Sequence, residues 1–297
     1  MAMQIAYIIL AHKNPEQIAT LIRSLANEDT SFFIHIDKRA GDEIYSKLVE
    51  QLTGIKSIHY TKRYKCYWGD FNIVKATIAC IQDLMNSGRD FDYAILLSGQ
   101  DYLIKPIDNI KEFFKKYRGQ EFIESFALDT QNKWTEHESY YQALRRVNHW
   151  HFRIRSKHIY LPIKRQFSQG FEPYGGSQWW GLSRDCIEYI NSFIKKNPVF
   201  VNYFKYVCVP DEIFFQTIVS NSPFKNKIFN SNLTYVGWEN SNPVPRAILG
   251  KDDLATLLNS PKLFARKFDI TREPEILDLI DREILGLNLR QRRVVKP

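Results

Sequence analysis

Apolar positions in residues 1–125 alternate between short continuous runs and helical repeats. Residues 4–10 form an almost continuous apolar run, as expected for a strand that is buried on both faces of a sheet. Asn14-Pro15 then marks a helix start, because Asn caps helices and Pro suits their first position. The same alternation predicts strands at residues 31–37, 55–60, 93–97 and 121–125, and helices at residues 42–52, 70–86 and 109–116.

Strands that alternate with helices of this length indicate an α/β fold, with a Rossmann-type, mostly parallel sheet and helices on both of its faces. In such sheets, ligands bind beyond the carboxyl ends of the strands. Polar segments follow three of the predicted strands, at residues 11–13, 37–38 and 98–101. Because the carboxyl ends of parallel strands meet at one edge, we expect these segments to converge on one crevice.

This regular alternation stops near residue 133. Residues 142–165 are rich in His, Arg and aromatic side chains, and glycines follow at residues 170–176. Helical patterns return at residues 183–195, 211–220, 252–259 and 273–285, with one more strand at residues 232–238. No linker-like boundary separates the two parts. The sequence therefore predicts one domain with a regular half, residues 1–130, and an irregular half, residues 131–297.

Composition places the chain among ordinary folded proteins, with 44% hydrophobic and 25% charged residues. The net charge is +8, and the basic segment at residues 287–297 is interpreted either as a solvated tail or as a contact with a membrane surface. The four cysteines lack a CxxC pair, which argues against a zinc site and fits reduced thiols. With no signal peptide or membrane-spanning run, we expect a cytoplasmic protein. If the tail contacts a membrane rather than solvent, that membrane surface is the inner face of the cell membrane.

Two carboxylates follow a proline in Val209-Pro210-Asp211-Glu212. Proline fits the first turn of a helix, and a helix N-terminus favours ionised carboxylates through its dipole. An ionised carboxylate near a cleft is what a general base requires. The same pattern is also typical of plain helix capping, and the segment alone does not separate the two interpretations.

A single carboxylate, Asp101, follows the strand at residues 93–97. Many nucleotide-sugar transferases place Asp-x-Asp at such a strand end to hold a metal, whereas here Asp90-Phe91-Asp92 precedes the strand. The sequence therefore predicts no metal ligands, and a bound diphosphate would need cationic side chains. Candidates are Arg246, Lys251, Arg266 and Lys267.

Glycines precede paired tryptophans in Gly175-Gly176-Ser177-Gln178-Trp179-Trp180. Such glycines indicate a close backbone approach, and Trp179 is a candidate aromatic wall for a sugar ring. Paired tryptophans packed in the core are the alternative.

The motifs SGQDYLIKP, GGSQWWGLSR, VPDE and LFARKFD, in this order, resemble those of the core-2/I-branching β-1,6-N-acetylglucosaminyltransferases and the peptide O-xylosyltransferases. The resemblance extends to AYIILAHKNPEQIATLIRSL, FFIHIDKR and Tyr67-Trp68-Gly69, and covers about residues 5–269. It implies a GT-A fold and an inverting, metal-independent transfer from a UDP-sugar. In these terms, residues 1–130 would bind the nucleotide sugar, and residues 131–297 would bind the acceptor and carry out catalysis.

Residue by residue, the resemblance implies that Glu212 is the catalytic base. Lys267 and Arg246 would hold the UDP diphosphate in place of a metal. His12 and Asp37 would form part of the uridine site, with Asp101 nearby.

On the acceptor side, the resemblance implies contacts from Glu124 and stacking from Trp238. Residues 131–164 depart from the animal enzymes, which carry an N-terminal anchor and stem that we do not expect in this protein. We therefore expect a bacterial relative that works in the cytoplasm on polysaccharide or glycolipid assembly, with N-acetylglucosamine as the first candidate sugar and xylose as the second. No cofactor beyond the UDP-sugar donor and no nucleic-acid partner is expected. Two alternatives are a metal-dependent transferase that uses Asp101 and a non-catalytic glycan-binding protein.

Overall fold

A computed structural model describes residues 2–136, 138–154, 157–167, 170–237 and 248–287. The strands within these residues are β1 (Ile5–Ala11), β2 (Thr30–Ile36), β3 (Ile58–Tyr60), β4 (Tyr93–Ser98), β5 (Asp101–Leu103), β6 (Glu121–Ile123), β7 (Phe126–Ala127), β8 (His149–Ile154), β9 (Lys157–Lys164), β10 (Tyr174–Gly175), β11 (Trp180–Ser183), β12 (Ile228–Phe229), β13 (Thr234–Val236) and β14 (Phe264–Arg266). The α-helices are α1 (Pro15–Leu25), α2 (Gly41–Gln51), α3 (Phe71–Asn86), α4 (Ile107–Lys116), α5 (Tyr140–Asn148), α6 (Arg184–Lys196), α7 (Pro198–Phe204), α8 (Phe214–Ser220), α9 (Leu254–Asn259) and α10 (Ile276–Glu283). Single 3-10 turns occur at Lys38–Ala40, Pro210–Glu212, Lys225–Lys227 and Lys251–Asp253.

The chain forms two compact units, each built from several segments. The first comprises Met1–Thr61, Asp90–Arg118 and Leu233–Pro297, and the second comprises Lys62–Arg89 and Gly119–Asn232. These units are defined by packing, so the functional division at residue 130 stays a prediction. Within the described residues, no helix combines the length and apolar character that crossing a membrane requires.

The first unit contains four parallel strands in the order β4-β1-β2-β3. Residues of β1, β2 and β4 are almost all buried, as their continuous apolar runs predict. Helix α1 buries its apolar face, including Ile18, Leu21 and Leu25. A smaller sheet in the same unit has the order β13-β14-β5, with β14 antiparallel to β5.

The second unit contains short strands between helices. Strand β6 pairs with β12 in parallel and with β11 in antiparallel fashion, and β7 pairs with β10. Strands β8 and β9 form an antiparallel hairpin that the irregular sequence pattern of residues 142–165 did not predict. Phenylalanines from α7 and α8 pack against one another in the core of this unit. Phe204 and Phe214 meet edge to face, and Phe200 is tilted against both.

The predicted α/β class with a mostly parallel central sheet is confirmed. In the first 125 residues the predicted strands and helices agree with the structure to within about three residues at each end. The prediction that Asp211 and Glu212 open an α-helix is wrong. They lie in the 3-10 turn Pro210–Glu212, and Ile213 separates this turn from α8.

Candidate functional site

The carboxyl ends of β1, β2 and β4 lie at one edge of the first unit, as predicted. Ala11 pairs with Ile36, and Leu10 pairs with Ser98. The Asp37 N–H donates to the Ala11 carbonyl at 2.8 Å. His12 and Asp37 are therefore neighbours at this edge, which we call the strand-end edge.

Asp101, at the same edge, is fully buried and bonded through both carboxylate oxygens. Oδ2 accepts a hydrogen bond from the Ser98 backbone N–H at 2.8 Å, and Oδ1 accepts one from the Ser98 hydroxyl at 2.7 Å. Arg266 Nε donates to the same Oδ1 at 2.9 Å. The Asp101 carboxylate thus holds the turn after β4 and neutralises Arg266, and a metal ion would have to displace these bonds to reach it.

Cationic side chains are concentrated around this edge. Burial is the main cause that lowers the pKa of Lys267, and the charges of Arg266 and Lys13 lower it further, while Asp101 opposes them. Burial also lowers the pKa of His12, together with Lys13 and Lys267. The positive charges that help to lower the pKa values of Lys267 and His12 create a positive potential at this edge, which an anionic ligand would relieve.

Asp269 anchors a hydrogen-bond network at this edge that the sequence did not single out. It lies 2.6 Å from Lys13 Nζ and accepts hydrogen bonds from Asn14 at 2.9 Å and from the Thr271 hydroxyl at 2.7 Å. Burial by itself raises the pKa of Asp269, but these hydrogen bonds outweigh burial and hold that pKa well below its usual value.

Gln17 is a second buried residue that the sequence did not single out. Its amide nitrogen donates to the carbonyls of Gly99 and Phe268 at 3.0 and 3.1 Å, and its oxygen accepts from the Ile270 N–H at 3.0 Å. Gly99 is required beside it, because a Cβ there would lie 2.9 Å from Ile18. Gln17 thereby fixes the turn after β4 to the chain that follows β14 and carries Lys267.

In the second unit, the candidate base lies in a strained turn. Val209, which precedes Pro210, has φ of 50° and ψ of 51°. A β-branched residue in this left-handed region is an outlier that costs of order 1–3 kcal/mol. Strain of this kind is typical of functional sites, where the surrounding structure compensates for it.

The two carboxylates of this turn have different environments. Asp211 is buried, and its Oδ1 has no hydrogen-bond partner within the residues that the structure describes. Burial raises the pKa of Asp211 to about 6, against the sequence expectation that a helix dipole keeps both acids ionised. Glu212 is only half-buried. Of the two, Glu212 is the side chain that a substrate can reach.

Gly176 connects this turn with the segment that carries Glu124. The Gly176 N–H donates to the Glu212 carbonyl at 2.9 Å, and a Cβ on Gly176 would lie only 1.9 Å from the Glu124 carbonyl oxygen. The close backbone approach predicted for these glycines is thus observed, and it holds the Glu124 and Glu212 segments side by side.

Glu124 lines a cavity of about 460 Å³ within the second unit. The carboxylate of Glu124 lies 3.3 Å from Lys133 Nζ, and Phe126 and Asn132 contribute to the wall. The cavity is lined by both polar and apolar groups, a composition that suits a sugar with hydroxyl groups and apolar ring faces.

The predicted site residues fall in both units. His12, Asp37, Asp101 and Lys267 belong to the first unit, and Glu124, Trp179 and Glu212 belong to the second. Trp179 is only 6% exposed, which favours the packed alternative left open by the sequence. Trp238 and Arg246, like the basic segment from residue 288, lie outside the described residues.

A family model and a search for similar sequences agree on the family of this chain. A family model described as "Branch: Core-2/I-Branching enzyme" matches residues 5–257. Xylosyltransferase 2 of Rattus norvegicus and that of Homo sapiens are each 26% identical to this chain, over 95% of the chain and 34% of the relative. The xylosyltransferase of Ciona intestinalis is 24% identical, again over 95% of the chain and 34% of the relative. The chain thus spans about a third of the length of these relatives.

Among solved structures, this chain is similar to the galactosyltransferase LgtC in complex with donor and acceptor sugar analogs, and the similarity covers 97% of this chain and 99% of the LgtC chain. It is 10% identical to this chain, with a TM-score of 0.45.

Proposed function

Because this chain belongs to the core-2/I-branching enzyme family, we propose that it is a glycosyltransferase that moves a sugar from a UDP-sugar onto a hydroxyl of a glycan or glycolipid acceptor. The observation that carries the proposal is the Val209–Glu212 turn. In this turn the half-buried carboxylate of Glu212 follows the strained Val209. Gly176 holds the turn against the segment of Glu124, and Glu124 lines a cavity.

We assign the donor diphosphate to Lys267 and, on the resemblance, to Arg246. The positive potential at the strand-end edge supports this assignment, since burial and then neighbouring cations lower the pKa of Lys267, and a bound anion would favour its charged form. His12 and Asp37, at the ends of β1 and β2, are assigned to the uridine.

We also propose that the transfer needs no metal ion at the diphosphate. The hydrogen bonds of Asp101 support this part of the proposal, because both of its oxygens are already used by Ser98 and Arg266. They disfavour the alternative of a metal-dependent transferase built on Asp101.

The proposed reaction is a single in-line displacement with inversion. The acceptor oxygen forms a bond to the anomeric carbon while the bond from that carbon to the UDP oxygen breaks. Glu212 takes the proton of the acceptor hydroxyl, which typically contributes about 10²–10⁴-fold to the rate. UDP leaves with the bonding electron pair, and Lys267 stabilises the charge that develops on its diphosphate.

On the acceptor side, Glu124 and its cavity would contact the sugar that receives the transfer. The resemblance favours N-acetylglucosamine as the donated sugar, whereas the names of the curated relatives favour xylose. Trp238 stays a predicted stacking residue, and membrane contact through the basic tail and the cytoplasmic location likewise stay predictions.

The test is release of UDP from a panel that includes UDP-N-acetylglucosamine and UDP-xylose, measured with and without glycan acceptors. We expect one donor to be turned over, at a rate that excess EDTA leaves unchanged. Absence of turnover with binding of glycans alone would support the non-catalytic alternative. Activity that EDTA abolishes and Mn²⁺ restores would contradict the metal-free proposal.

A further inference from the structure

Three potential metal ligands that have no assigned role in binding donor or acceptor meet in the second unit. They are His151 on β8, His158 on β9 and Cys208, and their ligand atoms all lie within 4.8 Å of one another. His151 Nε2 and His158 Nδ1 are 2.8 Å apart, and the two rings stack with centroids separated by 5.0 Å.

The β8–β9 hairpin produces this arrangement. His151 pairs with Tyr160 and Arg153 pairs with His158, so the two histidines are diagonal neighbours on one face of the hairpin. The His151 N–H donates to the Tyr206 carbonyl at 3.0 Å, which places the chain just before Cys208 alongside β8. Ligands separated by about fifty residues are therefore held together by backbone pairing.

The side chains around the three ligands have the interactions expected of a metal site. The His151 ring also forms a hydrogen bond with the Val207 backbone, and Nε2 already faces His158, so this bond belongs to Nδ1. Metal-binding histidines usually bond a backbone carbonyl through their second nitrogen in this way. A hydrogen bond links the Tyr160 side chain to that of Cys208.

The chemistry of these side chains also suits metal binding. Zinc binds neutral imidazole nitrogens and thiolate sulfurs. A metal ion would displace the thiol proton of Cys208, as metal binding to cysteine generally does.

His158 is held in place by its surroundings. Its ring lies so close to Gly69 that a Cβ there would be 3.0 Å from the ring, and Trp68 packs edge-on at 5.4 Å between centroids. The residue is half-buried, so one side of the cluster is open to solvent.

We propose that His151, His158 and Cys208 bind a Zn²⁺ ion that ties the β8–β9 hairpin to the chain leading into the Val209–Glu212 turn. Two imidazole nitrogens and one thiolate are a ligand set that zinc prefers. Bond lengths of about 2.0–2.3 Å imply ligand spacings of roughly 3.3–3.6 Å in a tetrahedral site, so the histidine nitrogens need to separate by only about half an ångström. Water supplies the fourth ligand on the open side.

The role of this ion is structural and is separate from the diphosphate. It coordinates through nitrogen and sulfur, whereas Mn²⁺ and Mg²⁺ at a diphosphate prefer oxygen. Binding to the folded chain alone stabilises the fold by mass action.

The test uses the full chain, stripped with EDTA and dialysed, to which Zn²⁺ is added in competition with a chromogenic chelator. We expect one Zn²⁺ per chain, a rise in Tm on binding, and a thiolate-to-cobalt absorption band when Co²⁺ replaces zinc. Cys208→Ser and His158→Ala should each weaken binding by at least about a hundredfold, since changes outside the ligand set alone cost 10–100-fold.

Cys66→Ser and His59→Ala are the matched controls, because each removes a like side chain outside the cluster. Both should bind Zn²⁺ as the unaltered chain does. If Cys208→Ser does not fold, the half-buried His158→Ala still provides the test. Wild-type affinity in His158→Ala, or binding of less than one Zn²⁺ per chain, would overturn the proposal.

Discussion

The buried carboxylates of Asp101 and Asp269 at the strand-end edge of the first unit form ion pairs, whereas the hydrogen bonding of the buried carboxylate in the Val209–Glu212 turn of the second unit is incomplete among the described residues. Asp101 is bonded to Arg266 and Ser98, and Asp269 to Lys13 and its neighbours, so that the pKa of Asp269 is lowered. Asp211 instead has a carboxylate oxygen without a partner among the described residues, and its pKa is raised to about 6.

The difference indicates what each region is built to do. A network of paired charges holds its cations in fixed positions, which suits the binding of an anion. A turn with a buried acid, one of whose oxygens has no hydrogen bond among the described residues, and with a strained Val209 is unfavourable for folding by itself. Such costs are found where chemistry requires a particular geometry. The difference agrees with the proposal that the edge binds the donor and that the turn carries the base.

The largest effect is expected at Glu212. Glu212→Gln keeps the size and hydrogen bonds of the side chain but removes its basicity, so kcat should fall by about 10²–10⁴-fold while UDP-sugar affinity is retained. Steady-state kinetics and calorimetry with UDP measure the two quantities.

Glu188→Gln, an exposed position on α6, is the control and should leave kcat unchanged. Near-normal turnover of Glu212→Gln would remove proton transfer from this residue and leave Asp211 or Glu124 as the next candidate.

The second effect tests the paired charges of the edge. Asp101→Ala removes the carboxylate that is ion-paired with the largely buried Arg266, and breaking a buried pair in this way costs about 3–5 kcal/mol of unfolding free energy. Urea unfolding measures the loss. Glu43→Ala breaks the exposed Glu43–Lys47 pair and should hardly change the midpoint. A similar small change for both variants would mean that the Asp101 network is not structural.

The third effect tests the burial of Asp211 in the Val209–Glu212 turn. A carboxyl whose pKa is raised on folding stabilises the protein below its unfolded pKa of about 3.9, and this contribution is lost as pH rises through the folded pKa, about 6 for Asp211. Asp211→Asn does not titrate. Its stability relative to the unaltered chain should therefore increase between about pH 4 and pH 6, by up to about 3 kcal/mol. A difference that does not change with pH would show that Asp211 is not buried as an acid.

The smallest effect concerns Lys267. Lys267→Ala should weaken UDP binding by about tenfold or more, because a charge-assisted hydrogen bond contributes roughly 1.5–3 kcal/mol. Uridine, which lacks the diphosphate, should be affected far less. Lys56→Ala, an exposed lysine that precedes β3, is the matched control. Equal losses for uridine and UDP, measured by calorimetry, would place Lys267 outside the diphosphate site.

Much of the edge could be predicted from the sequence, because β1, β2 and β4 are continuous apolar runs followed by polar residues. Parallel pairing then brings His12 and Asp37 together without further information. The network around Asp269 and Gln17 could not be predicted, since its partners lie more than 250 residues apart in the chain. Nothing in a local pattern shows which buried amide will meet which carbonyl.

What the sequence determined by itself is the α/β alternation, the order of the motifs and hence the family, because period, capping and turn residues act over a few positions. Only the tertiary structure decided that Asp101 forms an ion pair with Arg266, that Pro210–Glu212 is a separate 3-10 turn, and that His151, His158 and Cys208 meet. These outcomes depend on burial and on contacts between distant segments. The spacing of cysteines and histidines along the chain predicted no zinc site, because a hairpin and a segment remote from it in the chain, rather than a short motif, bring the three ligands together.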